Sequence, residues 1–286
     1  MTEEELYVTY KGVYLSKMLY PPESLKYYEE FTFRPDDIVI VIYPKSGTTW
    51  MQEITSMIQS GGDLTTGLTT PTFKRVPWLE MFNFLSLNME ERPSPRLMAT
   101  HYHYDMMPAS FLEVKPKVIH VVRNPRDVFT SLYHFCETAN FLVKTTSTGE
   151  FLDKFLSGQV SFGSWFDHVK GWMNVMEQYP SMIISYEDMK TDLKDSVFRL
   201  SQFIGTSLSS EAIEKIANHC EFNNMKQNKM SNYSEAPSGL LDPSKSFHRK
   251  GICGDWKNLL TVAQAEHFDN VYKSQMKDVK YKFVWD

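Results

Sequence analysis

The clearest pattern in the chain is a run with no polar position, Ile38 to Ile42, inside "DDIVIVIYP". An unbroken Ile/Val run of strand length suits a strand covered on both faces, as in a parallel sheet. The period then changes. Trp50, Ile54, Met57 and Ile58 fall at i, i+4, i+7 and i+8, one face of a helix, until "GGDLTTG" breaks the pattern. "KVIHVVRNPRDV" repeats the unit, with residues 118–122 as the strand, Asn124 as a cap and Pro125 suited to the first turn. Val128, Leu132 and Phe135 supply its apolar stripe. "MIISYEDM" followed by "VFRLSQFIG" is a third unit, with Val197, Leu200, Phe203 and Ile204 on one face and Gly205 as the stop. "EAIEKIANH" reads as a further amphipathic helix. Strands alternating with helices predict right-handed βαβ units, hence an α/β fold with a central parallel sheet flanked by helices. Ligands of such sheets sit beyond the carboxyl ends of the strands, where residues 43–49 and 123–127 fall.

Composition narrows the picture. The 286 residues are 42% hydrophobic and contain no linker, low-complexity tract or internal repeat, so a single domain over residues 1–286 is expected. No stretch approaches the ~18 apolar residues of a membrane span, and the acidic start "MTEEELYVTYKG" does not read as a secretory signal. Cys136, Cys220 and Cys253 are odd in number and widely spaced, which predicts neither a disulfide framework nor a zinc site and fits a reduced, cytoplasmic setting. The net charge of −5 argues against a nucleic-acid or membrane-surface binder. Any anion must be held by local positive groups.

Two stretches carry candidate chemistry. In "YPKSGTTW", Gly47 lets the backbone approach an anion, Ser46, Thr48 and Thr49 offer hydroxyls, and the helix start offers N–H groups and a favourable dipole. Trp50 either stacks on a purine or faces the core. The same stretch also suits an ordinary strand-to-helix turn. Lys45 precedes the glycine, whereas in the common triphosphate loop the lysine follows it, and neither that motif nor the Rossmann glycine pattern is present. In "PRLMATHYHYDMMP", His101, His103 and Asp105 alternate. On a strand they would share one face, and a metal site is conceivable there.

"YPKSGTTW", "RNPRDV" and "RKGICGDWKN", in this order, resemble the signature segments of the cytosolic sulfotransferases, and the similarity runs over essentially the whole chain. The resemblance implies a nucleotide-kinase-like, P-loop-like sulfotransferase fold. It implies transfer of a sulfuryl group from 3′-phosphoadenosine 5′-phosphosulfate (PAPS) to a hydroxyl or an amine, with 3′-phosphoadenosine 5′-phosphate (PAP) as product and no metal. By resemblance, Lys45 stabilises charge on the leaving phosphate and the sulfuryl oxygens. Ser46, Gly47, Thr48 and Thr49 hold the 5′-phosphate, and Trp50 stacks on the adenine. Arg123 and Ser131 match one half of a 3′-phosphate site, and Arg249, Lys250 and Gly251 the other; arginine suits a bidentate grip on phosphate. Tyr186, Cys220, Phe222, Met225 and Phe247 match further donor-contacting positions. His101 matches the general base, which with Lys45 and Ser131 completes the implied catalytic set. His103 and Asp105 are then supporting or incidental.

The sequence departs from the family at two places. Ala99 stands where many phenol-type members have lysine, and Cys220 where threonine is frequent. "NKMSNYS", "VSFGSWFDHVKGWM" and "TVAQAEHFD" look most like the hydroxysteroid (alcohol) branch. In that branch Phe73, Trp78, Phe141 and Tyr233 would line the acceptor pocket beside His101. Aromatics around a few polar groups suit a flat apolar acceptor. A steroid 3-hydroxyl, as in dehydroepiandrosterone, is the first expectation, with phenols and aryl amines as alternatives. "KNLLTVAQAE" follows the family's short dimer motif through Lys257, Thr261, Val262 and Glu266, which implies a homodimer. A nucleotide kinase and a non-catalytic nucleotide-binding module are the competing readings.

Overall fold

The structure is a computed structural model and describes residues 2–285. Strands β1 (Tyr7–Tyr10) and β2 (Val13–Ser16) form an antiparallel hairpin. The central sheet contains β3 (Ile38–Ile42), β4 (Leu97–Thr100), β5 (Lys117–Val122) and β6 (Ser181–Ser185). Its order is β4-β3-β5-β6, with every neighbouring pair parallel.

All five residues of β3 are buried. Alternation divides them between two cores. Ile38, Ile40 and Ile42 pack with Ile54, Met57 and Ile58 of the helix Thr48–Gln59 and with Val197 and Leu200 of the helix Leu193–Ile204. Val39 and Val41 share the opposite core with Tyr28, Phe111 and Trp172. The unbroken run of the sequence is thus two apolar stripes, one per face. A third core joins the helices Pro125–Thr138, Thr148–Leu156 and Val262–Gln275 through Phe129, Phe155 and Phe268. Gly205 adopts φ +94° and ends the helix Leu193–Ile204, as expected.

At the amino end of the sheet, Arg96 and Asp37 form a fully buried bidentate pair, with Nε–Oδ1 at 2.8 Å and Nη2–Oδ2 at 2.6 Å. Asp37 immediately precedes β3 and Arg96 immediately precedes β4, so the pair fixes their register. At the carboxyl end the connections diverge. β3 leads to β4 on one side, and β5 leads to β6 on the other. The crevice lies where they part.

Candidate active site

A cavity of about 300 Å³ lies at the carboxyl ends of β3, β4 and β5. Its lining falls into a cationic set and an aromatic set.

The cationic set begins directly after β3. Lys45 (φ +69°) and Gly47 (φ +104°) are both left-handed and turn the chain into the helix Thr48–Gln59. A Cβ on Gly47 would stand 2.9 Å from the Tyr186 ring, so glycine is required by conformation and by space. No side chain caps this helix, which leaves first-turn N–H groups for a ligand. Thr48 and Thr49 line the cavity. Ser46 does not, and its buried Oγ has no hydrogen-bond partner among the described residues. Lys45 Nζ lies 3.5 Å from the centroid of the Phe135 ring and 5.2 Å from that of Phe247. Burial, with the charges of Arg123 and Arg249, pushes its pKa down to about 7.

Arg123 follows β5. Its guanidinium donates to the carbonyls of Lys45 (2.9 Å) and Ile252 (3.2 Å) and lies 4.0 Å from the Tyr186 ring centroid. Its Nε is buried without a partner, and it makes no ion pair among the described residues. A buried cation met only by carbonyls and a ring face among the described residues calls for an anion. Ser131, on the following helix, lines the same cavity. Asn124 caps that helix as expected, accepting from the Arg126 N–H at 3.0 Å.

The segment after Phe247 closes over these groups. Arg249 and Lys250 share one buried carboxylate, Asp255, at 2.5 and 2.7 Å. Burial would raise the Asp255 pKa, but hydrogen bonds from Lys250, Asn258 and Arg249 outweigh it and hold it at about 2. Gly251 (φ +66°) lies so close to Phe222 that a Cβ would fall 2.1 Å from the ring. Asp127 ties this segment down by accepting from the N–H groups of Gly254 (2.7 Å) and Trp256 (3.0 Å).

Trp50, Tyr186, Cys220, Phe222 and Met225 also line the cavity, forming an aromatic-edged slot beside the cations. The rings of Trp50 and Tyr186 meet edge-on at 5.2 Å. Trp50 Nε1 donates to the Cys220 carbonyl at 2.8 Å. The observed role of Cys220 therefore belongs to its backbone, which a thiol in place of a hydroxyl does not alter.

The aromatic set includes Trp78, Phe141, Phe162 and Tyr233, with Tyr20 and Met81. Phe73 does not line the cavity; its ring packs 5.8 Å from that of Tyr233. Phe162 (φ +67°) and Tyr233 (φ +63°) hold left-handed backbones, which cost about 1–3 kcal/mol each and persist only when their surroundings fix them. For Phe162 the fixing bonds are visible. Its N–H donates to the Tyr14 carbonyl at 2.9 Å, and its own carbonyl accepts from His103 Nε2 at 2.7 Å.

His101 stands between the two sets, one residue past β4, in van der Waals reach of Trp78 (ring centroids 4.2 Å apart) and Phe162 (4.9 Å). Its Nδ1 lies 2.6 Å from the Ile42 carbonyl. A carbonyl can only accept, so Nδ1 carries the proton and Nε2 is the basic atom. Burial lowers the imidazole pKa to about 3, with the nearby Lys45 charge acting in the same direction. His101 is thus neutral across the physiological range.

Strand β4 stops at Thr100, so the strand on which His101, His103 and Asp105 would share a face is not formed. The three side chains consequently diverge: His101 lines the cavity, His103 is buried against Phe162, and Asp105 is exposed. Among the described residues no cluster of His, Cys, Asp or Glu suits a metal. Ala99 is fully buried in β4 and packs in the core with Trp78. In the "KNLLTVAQAE" stretch, Thr261 caps the helix Val262–Gln275 reciprocally with Gln264, and Val262 is 77% exposed. Lys257 and Glu266 are exposed on the same stretch.

Sequence reasoning gave Phe135 only a place in an apolar stripe and overlooked Asp127, Asp255 and Phe162. Both aspartates lie inside the quoted motifs, but nothing in one sequence says which backbone or cation they hold.

The comparisons with known proteins agree with this geometry. The family described as "Sulfotransferase domain" matches residues 35–280. The chain is 45% identical over 282 residues to Sulfotransferase 2B1 of Mus musculus, covering 98% of this chain and 83% of that one. It is 41% identical over 279 residues to Sulfotransferase 1A1 of Rattus norvegicus, covering 96% and 95%. Mouse sulfotransferase SULT7A1, solved in complex with PAP, superposes with a TM-score of 0.80 at 31% identity, covering 96% of this chain and 95% of that one. The parallel sheet, the cationic crevice at its switch point and these similarities lead to one conclusion: the chain belongs to the cytosolic sulfotransferase family.

Proposed function

We propose that this PAPS-dependent sulfotransferase acts on the hydroxyl of a flat apolar acceptor, a hydroxysteroid, with His101 as general base. The observation that carries the reading is the position of one neutral imidazole between a cationic crevice and an aromatic wall. In this reading the acceptor oxygen attacks sulfur as the bond from sulfur to the 5′-phosphate oxygen breaks. His101 Nε2 takes the hydroxyl proton. Lys45 and the first-turn N–H groups meet the charge left on the departing phosphate. Arg123 and Ser131, with Arg249, Lys250 and the Gly251 amide, hold the 3′-phosphate. The fit rests on Arg123, whose buried charge has no carboxylate partner among the described residues. An anion beside Lys45 raises its pKa again, so the lysine is charged when it is needed.

The acceptor class rests on the wall. Trp78, Phe141, Phe162 and Tyr233 offer broad apolar faces, and the buried Ala99 brings no second lysine beside His101. A homodimer through Val262 and its neighbours, in the cytoplasm, completes the reading; exposure of a valine at a helix start supports it. The test is a panel assay with labelled donor against a hydroxysteroid, a bile alcohol, simple phenols and aryl amines. The hydroxysteroid is expected to show the highest kcat/KM, and a preference for phenols would overturn the acceptor class. His101→Ala is expected to abolish transfer with every acceptor while PAP still binds.

A further inference from the structure

Glu80 is a fully buried carboxyl that the chemistry above does not use. Residues 77–79 run beside β4 as a short parallel edge. The Ala99 N–H donates to the Pro77 carbonyl and the Leu79 N–H to the Ala99 carbonyl, both at 2.9 Å. That pairing ends at Leu79. One step further along β4 the His101 N–H has no strand partner, and there Glu80 Oε1 accepts it at 2.9 Å. The next N–H, of Tyr102, is held by Thr100 Oγ1 at 3.0 Å. The backbone that leaves the sheet with His101 is therefore pinned by two side chains at successive residues.

Packing does not account for a carboxyl here. Its second oxygen, Oε2, makes no hydrogen bond of good geometry among the described residues, although the Thr100 hydroxyl and the Glu80 N–H also bear on the carboxyl, and a poorly satisfied buried polar atom costs free energy that an apolar side chain of equal length avoids. The bond accepted at Oε1 is the one well-formed hydrogen bond the carboxyl makes among the described residues. With the main-chain N–H of His101 fixed at Glu80 and the ring Nδ1–H fixed at Ile42, both the backbone and the ring of the residue are held.

We infer that Glu80 is a positioning residue for His101, acting as a side-chain substitute for the missing strand partner and thereby aiming Nε2 at the acceptor hydroxyl. The inference rests on His101 being the base. Two near-isosteric variants separate the acceptor atom from volume: E80Q keeps a carbonyl oxygen, and E80M fills the space without one. E80M is expected to lower kcat about 10–100-fold, the range produced by ångström-scale misplacement of a catalytic group, and E80Q to stay within about threefold of the unmodified protein. KM for the acceptor and the affinity for PAP are expected to stay unchanged in both. Equal kcat in E80M and E80Q, or a loss of PAP binding in E80M, would overturn the role. His101→Ala is measured alongside. If that variant stays active, the assignment of the base fails; if it is inactive while E80M is normal, only the Glu80 inference fails.

Discussion

Two buried arginines stand at opposite ends of the same sheet. Arg96, at the amino end, meets Asp37 through two hydrogen bonds and donates to the carbonyls of Met89 and Thr32 as well. Arg123, at the carboxyl end, has two carbonyls, an aromatic face, an unpartnered Nε and no ion pair among the described residues. Residue type and burial are nearly the same, at 2% and 8% exposure. The difference is the partner. A closed pair does structural work, because removing one member strands the other. An open cation stores unfavourable energy in the free protein and releases it on binding an anion. Lys45 behaves like Arg123: among the described residues its ammonium makes no ion pair and sits over two rings, and its pKa is depressed.

This contrast can be broken by experiment. The largest effect is expected for Arg96→Met, which leaves Asp37 buried and unpaired and should cost about 3–5 kcal/mol of stability in urea unfolding. The double variant R96M/D37L should regain most of that loss. Arg123→Met should do the reverse, keeping or raising the unfolding midpoint while weakening PAP binding by about 2–5 kcal/mol in calorimetry. A fall in midpoint similar to that of R96M would remove the distinction. Arg249→Ala, whose guanidinium is already shared with Asp255, should weaken PAP by about tenfold and a nucleotide without the 3′-phosphate hardly at all. Equal losses for both would remove the 3′-phosphate role.

The smallest effect is a pH dependence. The Lys45 pKa is lowered from 10.5 to about 7, so the free protein loses this charge as the pH rises through 7. An anionic ligand favours the charged form, so binding takes up a proton above pH 7. PAP affinity should therefore fall about fivefold between pH 7 and 8, and calorimetry in buffers of different ionisation enthalpy should detect the uptake. A Lys45→Met variant should show neither.

Much of the fold was legible because local pattern and tertiary placement agree. The run Ile38–Ile42 suited a strand covered on both faces and forms one, and the three strand-to-helix units fell where the apolar periods placed them. The shared face that a strand would have given His101, His103 and Asp105 does not form, for an identifiable reason. The parallel edge beside β4 ends at Leu79, and the chain leaves the sheet after Thr100. Phe73 was expected in the acceptor wall; it does not line the cavity, and its ring packs against that of Tyr233. Distance in sequence gave no measure of which ring faced the cavity.

The sequence by itself determined the elements, the glycine turn after β3 and the identity of the cationic groups that line the crevice, because these depend on local conformation and side-chain chemistry. Only the tertiary structure decided which charges are closed and which are open. It took the fold to bring Asp37 to Arg96 across 59 positions, to leave Arg123 facing carbonyls, and to supply Glu80 to the His101 amide across 21. Pairing and desolvation are properties of a neighbourhood, and that neighbourhood exists only once the chain has folded.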